Sequence, residues 1–231
     1  MSAAALFSLR DSPATTTTTT SEWFADRVVV TPCLSVANAG QAACEALLTH
    51  SKLERVGAVD HDALVPVTYA INGGADVALA CEVYHSPGCR ATVVQRRAPT
   101  LAVRGAARRF ATDLVGTLRD GGARALVLAA GIDHGSLSNA HRRPLVFCSG
   151  DVDAELAARL ASLPALAVTD IAIVSGESTF SRFAFAAAAA CGLPLVILAV
   201  PVAEGVDEIE QIHPLVKMLQ AIVHSETPTK K

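Results

Sequence analysis

The sequence predicts an α/β fold, a three-layer α/β/α sandwich with a mixed sheet, on three observations. Short runs of branched apolar residues, among them RVVVT, ALVLAAG and LPLVILAV, have the length and composition of strands buried on both faces. Between them lie stretches with apolar residues at helical spacing, so strands and helices alternate along the chain. Hydrophobic residues make up 51% of the 231 but aromatics only 4%, which requires a core of Ala, Val and Leu suited to helices laid closely on a sheet.

Residues 1–22, with a run of six threonines, read as an unpacked tail, residues 23–224 as one α/β domain and residues 225–231 as a flexible C-terminal tail. Arg27 to Thr31 is a first strand, with Pro32 at its end, where a missing amide hydrogen is tolerated. Asn38 is placed to cap a helix through AGQAACEALLTH by accepting from its first free amides. Arg55 to Asp60 returns as a strand, completing a β-α-β unit. Asp76 to Tyr84 alternates, and with RATVVQ across the Ser86-Pro87-Gly88 turn it forms an antiparallel hairpin. Leu101 to Asp120 is the clearest amphipathic helix, stopped by Gly121 and Gly122. Ala123 to Gly131 is the next buried strand, followed by a polar loop. Asp151 to Ser162 reads as a surface helix, Asp170 to Val174 as a strand and Ser178 to Cys191 as a small-residue helix. LPLVILAV is the last strand, and the chain closes on an amphipathic helix that Pro214 breaks or reopens. Six or seven strands result.

Composition narrows the function classes. A net charge of −3 gives no overall pull toward nucleic acid or anionic lipid. Cys33, Cys44, Cys81, Cys89, Cys148 and Cys191 show no CxxC pair and read as free thiols in a reducing compartment. The N-terminus has no basic region ahead of an apolar stretch, so no signal peptide is expected. Phe183 to Ala203 is uncharged over the length of a membrane span, but Gly192 and Pro194 divide it into a helix and a buried strand.

Candidate chemistry is thin. Ser175-Gly176-Glu177-Ser178 lacks the final glycine of a nucleophile elbow, since Phe180 stands there, and Ser178 reads as a helix cap. His61, between Asp60 and Asp62, has no second His or Cys at ligand spacing, and no metal or cofactor is expected. The loop GIDHGSLSNAHRR, with Asp133, His134, Ser136 and His141, is the most enzyme-like place in the chain and carries the alternative reading, an α/β hydrolase or nucleoside phosphorylase. Neither G-x-G-x-x-G nor a P-loop occurs. Arg90, Arg96, Arg97, Arg104, Arg108 and Arg109 form a basic stretch without interleaved aromatics, which suits a solvated face or an acidic protein partner better than nucleic acid.

Several segments in order resemble the proteasome assembly chaperone 2 family: Ser35 to Gln41 (SVANAGQ) after the first strand, Asp62 to Pro66 (DALVP), Cys81 to Pro87 (CEVYHSP), the Gly-Leu-Pro-Leu strand, and the Glu-Gly-x-Asp stretch before the last helix. The resemblance spans residues 28–223. It implies a fold shaped like nucleoside phosphorylases and no catalytic role. It also implies pairing with proteasome assembly chaperone 1, binding of the heterodimer to proteasome α-type subunits to promote α-ring formation, and a cytoplasmic and nuclear location. Ser35, Asn38, Gly40 and Gln41 of the first motif, with Arg96, Arg97, Arg104 and Arg108 of the basic stretch and Lys230 and Lys231 of the tail, are the candidate partner-binding residues. Some relatives end in a hydrophobic-Tyr-any tail, whereas this chain has Lys230 in the Tyr position before Lys231, so tail insertion between α subunits is not expected. A homodimeric scaffold is the third reading.

Overall fold

A computed structural model describes residues 7–9, 21–71, 76–175, 178–205 and 208–223. Among the described residues, eleven strands alternate with seven α-helices: β1 (Phe7–Leu9), α1 (Ser21–Phe24), β2 (Val28–Pro32), α2 (Ala39–Ser51), β3 (Glu54–Val59), β4 (Thr68–Ile71), β5 (Asp76–Leu79), β6 (Cys81–His85), β7 (Ala91–Arg96), α3 (Ala106–Asp120), β8 (Ala125–Asp133), β9 (Leu145–Ser149), α4 (Ala154–Ser162), β10 (Leu166–Val168), α5 (Ile171–Ser175), α6 (Thr179–Cys191), β11 (Leu195–Val202) and α7 (Glu208–Val223). Nine strands form one mixed sheet in the order β1-β3-β6-β7-β2-β8-β11-β9-β10, and β4 and β5 pair separately. The central strands β7, β2, β8 and β11 run parallel. Strand β9 is antiparallel to β11 on one side, and β6 is antiparallel to β7 on the other.

The period-two pleat sorts the core into two layers. Leu126, Leu128, Ala130 and Ile132 of β8, with Leu195, Ile197 and Ala199 of β11, pack under α1, α3, α5 and α6. Ala125, Val127 and Ala129, with Val196, Leu198 and Val200, pack under α2, α4 and α7. The three-layer α/β/α sandwich with a mixed sheet is therefore the fold, and its sheet is larger than the six or seven strands expected.

Several elements depart from the expectation for physical reasons. Within the stretch 1–22 that reads as a tail, Phe7–Leu9 forms strand β1 by pairing antiparallel with β3, whose outer backbone groups would otherwise lack partners. The crossover β2-α2-β3 exists, but β6 and β7 stand between its two strands. Asn38 precedes α2 without capping it: at φ 51° its side chain makes no capping bond, and it takes the left-handed conformation that Asn tolerates. Asp170 to Val174 is not a strand, because the segment from Ile171 winds as α5, Asp170 accepting from the Ala172 amide ahead of it. The amphipathic helix begins at Ala106 rather than Leu101, after Gly105 at φ 84°. Pro214 lies inside the continuous helix α7 and does not end it; that helix is held along its length by packing on α2 and β11, which outweighs the lost backbone bond. The hairpin of β6 and β7 forms as expected, although Asp76–Leu79 splits away at Ala80 to pair with β4.

The thiols of Cys33, Cys44 and Cys81 are buried and all six cysteines are free. No helix among the described residues is long and apolar enough to cross a membrane.

Candidate functional site

Parallel strands β2, β8 and β11 end on the same edge of the sheet, the edge at which open α/β sheets place their ligands. The turn after β2 is tied there by Ser35, whose Oγ accepts from the Gly131 amide at 2.8 Å. Ala37 and Asn38 follow in the left-handed region, at φ 53° and 51°, which costs about 1–2 kcal/mol for the alanine. That kink drives the start of α2 against β8. A Cβ on Gly40 would collide with the Ala129 carbonyl oxygen and stand 2.9 Å from that of Cys33, and one on Gly131 would stand 2.8 Å from the Ala39 Cβ. Only glycine permits this approach. The result is a cleft of about 840 Å³ lined in part by Ser35, Asn38, Gly131, Asp133, Ser178 and Glu204.

Ser178 brings the start of α6 to the cleft. Its side chain accepts from the Ser181 amide, as its position in the sequence predicts for a helix cap.

Behind this wall lies Arg96, the last residue of β7 and 1% exposed. Its Cζ is 4.1 Å from the centroid of the Phe180 ring, in the first turn of α6, and 5.6 Å from that of Phe110. Its Nε has no hydrogen-bond partner, and among the described residues no carboxylate meets the guanidinium. The thiols beside it are no substitute: burial pushes Cys33 up to about 11 and Cys81 up to about 12 although the Arg96 charge pulls both down. Burial pushes Arg96 itself down to about 10, so it stays a cation at neutral pH. Burying an uncompensated charge costs several kcal/mol, whereas cation–π contacts return about 2 kcal/mol.

Arg97, the next residue, points to the other face and is fully answered. Its Nε donates to Glu45 Oε1 at 2.8 Å, a terminal nitrogen donates to Glu82, and another reaches the Tyr84 hydroxyl at 3.2 Å. Tyr84 donates to Glu82 Oε2 at 2.8 Å, and Arg55 donates to the other Glu82 oxygen. Glu82 is wholly buried, so this network joins α2, β3, β6 and β7 around one carboxylate.

The remaining candidates scatter. Gln41 is nearly buried, with its carbonyl accepting from Gln95 Nε2 at 3.2 Å. Arg104 and Arg108 are exposed, the latter over the Phe183 ring at 5.1 Å. The basic stretch is thus not one solvated face, since Arg96 is inside and Arg97 is paired. Lys230 and Lys231 lie outside the described residues. In the loop after β8, His141 Nδ1 meets Ser138 Oγ at 3.0 Å, while the Asp133 side chain accepts from the Gly135 amide and its carbonyl from Ser136 Oγ. These local bonds close the turn and do not set His134 and His141 on a common group. His61 Nδ1 accepts from the Ala63 amide at 2.9 Å and Nε2 faces Asp113 at 3.1 Å, so its bonds are structural. Among the described residues no three His, Cys, Asp or Glu side chains converge as metal ligands.

A further surface was not legible beforehand: the β4–β5 ribbon exposes Tyr69 (41%), Val77 (47%) and Leu79 (38%). Register places Val77 opposite Ala70 and Leu79 opposite Thr68 on one face, and the alternation of Val77 and Leu79 was its only signal.

The PAC2 family model matches residues 29–231. No curated protein matches the chain in sequence. Among solved structures, the chain is similar to PbaB of Pyrococcus furiosus, an archaeal proteasome activator (TM-score 0.68, 12% identity, covering 94% of this chain and 88% of that one). It is also similar to PbaA of the same organism, an archaeal homologue of proteasome-assembly chaperone (0.65, 17%, 85% and 77%), and to a PAC2 family protein of Streptomyces avermitilis (0.52, 17%, 86% and 87%). At these identities the likeness is one of fold.

Proposed function

The chain belongs to the PAC2 family, and from that premise we propose that it is a non-enzymatic assembly chaperone of the proteasome core particle. It acts as a heterodimer with a proteasome assembly chaperone 1 paralogue, binds α-type subunits and promotes α-ring formation, in the cytoplasm and nucleus. The observation that carries this reading is the family match over nearly all of the folded chain. Names borne by structures of the same fold, a proteasome-assembly chaperone homologue and a proteasome activator, support it.

The outward-facing β4–β5 ribbon supplies a surface of the required kind. Val77 and Leu79 add apolar area on one face beside polar Thr68, which suits a contact that forms and later dissolves. Affinity purification of the tagged chain, with its companions identified by mass spectrometry, is expected to recover a paralogous PAC-domain protein and α-type subunits. Recovery of neither under gentle salt would overturn the proposal, and recovery of the chain as a discrete dimer of itself would favour a homodimeric scaffold.

A further inference from the structure

Several arginines of this chain are answered by its own carboxylates: Glu82 meets Arg55 and Arg97, and Glu155 meets Arg90, Arg124 and Arg159. The start of α3 is different. Arg104, Arg108 and Arg109 are exposed there, and none has an ion-pair partner among the described residues. Asp113, one turn beyond Arg109, faces His61 Nε2 instead, at 3.1 Å. The helix adds to the positive field, because no side chain caps it at Gly105 and no acidic residue stands in its first turn. Beside these charges Val103 is 55% exposed. We propose that the start of α3 is a docking surface for an acidic segment of a protein partner, whose carboxylates meet Arg104, Arg108 and Arg109 while an apolar side chain rests on Val103.

Charge complementarity fixes the occupant. Nucleic acid is a poorer fit, since the chain carries a net charge of −3 and the ring beside the patch, Phe183, is taken up by Arg108 at 5.1 Å, which leaves no free platform for a base. A membrane is poorer too, because a single exposed valine gives little to insert into lipid. The contact with Phe183 also holds Arg108 in place, so less freedom is lost when a carboxylate arrives. Exposed ion pairs are individually weak, and the contact therefore steers and positions a partner rather than holding it alone. The proposal rests on the assembly reading only for the identity of that partner.

Nuclear magnetic resonance titration of the isotope-labelled full chain tests this at low salt, with a peptide that repeats Glu-Glu-Leu three times and its Gln-Gln-Leu counterpart. The acidic peptide is expected to give saturable shifts of the amides of residues 103–109, and the neutral one none. Its Kd should weaken about tenfold when Arg104→Glu and Arg108→Glu are combined. Arg119→Glu makes the same change of charge on an exposed residue about 16 Å further along α3 and should alter it by less than about twofold. No saturable shift, shifts centred elsewhere, or equal losses in the two variants would overturn the proposal. A short thymidine oligonucleotide or phosphatidylglycerol vesicles acting on the same amides at lower concentration would overturn the choice of a protein. Purification of the tagged chain without α-type subunits would count against the assembly reading and leave these shifts standing, whereas companions retained equally by the double variant would remove this surface alone.

Discussion

Arg96 ends strand β7 and Arg97 follows it, yet the fold treats them in opposite ways. Arg97 enters a network in which the buried Glu82 carboxylate is shared with Arg55 and Tyr84, while Arg96 enters a layer of phenylalanines where no carboxylate among the described residues meets it. Identical chemistry separated by one residue thus stabilises the structure on one face and burdens it on the other.

The contrast can be broken first on its paired side. Glu82→Ala removes the buried carboxylate that two guanidinium groups and a phenol share, and urea denaturation is expected to show a loss of about 3 kcal/mol. Next is the ring that cushions Arg96: Phe180→Leu should cost about 2 kcal/mol in the same assay, from lost cation–π attraction and packing. Ser178→Ala removes the cap of α6 and should cost about 1 kcal/mol. Arg96→Met closes the series near zero, or slightly stabilising, since an apolar residue of similar length replaces an uncompensated charge; a loss as large as that of Glu82→Ala would erase the distinction between the two faces.

A pH titration sharpens the same point. Burial, then the hydrogen bond to Glu82, pushes the Tyr84 phenol up to about 12 from its ordinary value of 10.0. The folded state holds that proton more tightly than the unfolded one. Its contribution is therefore present below pH 10.0 and lost as pH rises toward about 12. The absorbance difference at the phenolate band between wild type and Tyr84→Phe should emerge only near the upper value.

Much of this architecture can be read from residues alone, and the failures have specific causes. Strands β8 and β11 and helix α6 announce themselves because an unbroken apolar or small-residue run between glycines leaves few alternatives. The segment DIAIV misleads because four apolar residues, two of them Ile, suit a buried strand as well as one helical turn, and only tertiary packing chooses. LVFCS and LAV, which form β9 and β10, are too short to outweigh their polar surroundings. At the site, the turn from Ser35 to Gln41 was legible through family resemblance, but its use was not: Gly40 and Gln41 serve close packing rather than an open surface. Arg96 could have been placed inside by alternation, because Thr92 and Val94 share its face of β7 and both are buried. What no pattern conveys is that no carboxylate among the described residues stands opposite it, for that depends on α3 and α6 arriving from distant parts of the chain.

The nine-stranded sheet tapers to three-residue strands at both extremities, Phe7–Leu9 and Leu166–Val168. Rims this short give a stray polypeptide too little main chain to grasp, which guards a Val- and Ala-rich body against stacking into fibrils. They also disfavour recognition by adding a strand, leaving side-chain docking, which can detach when a task is finished.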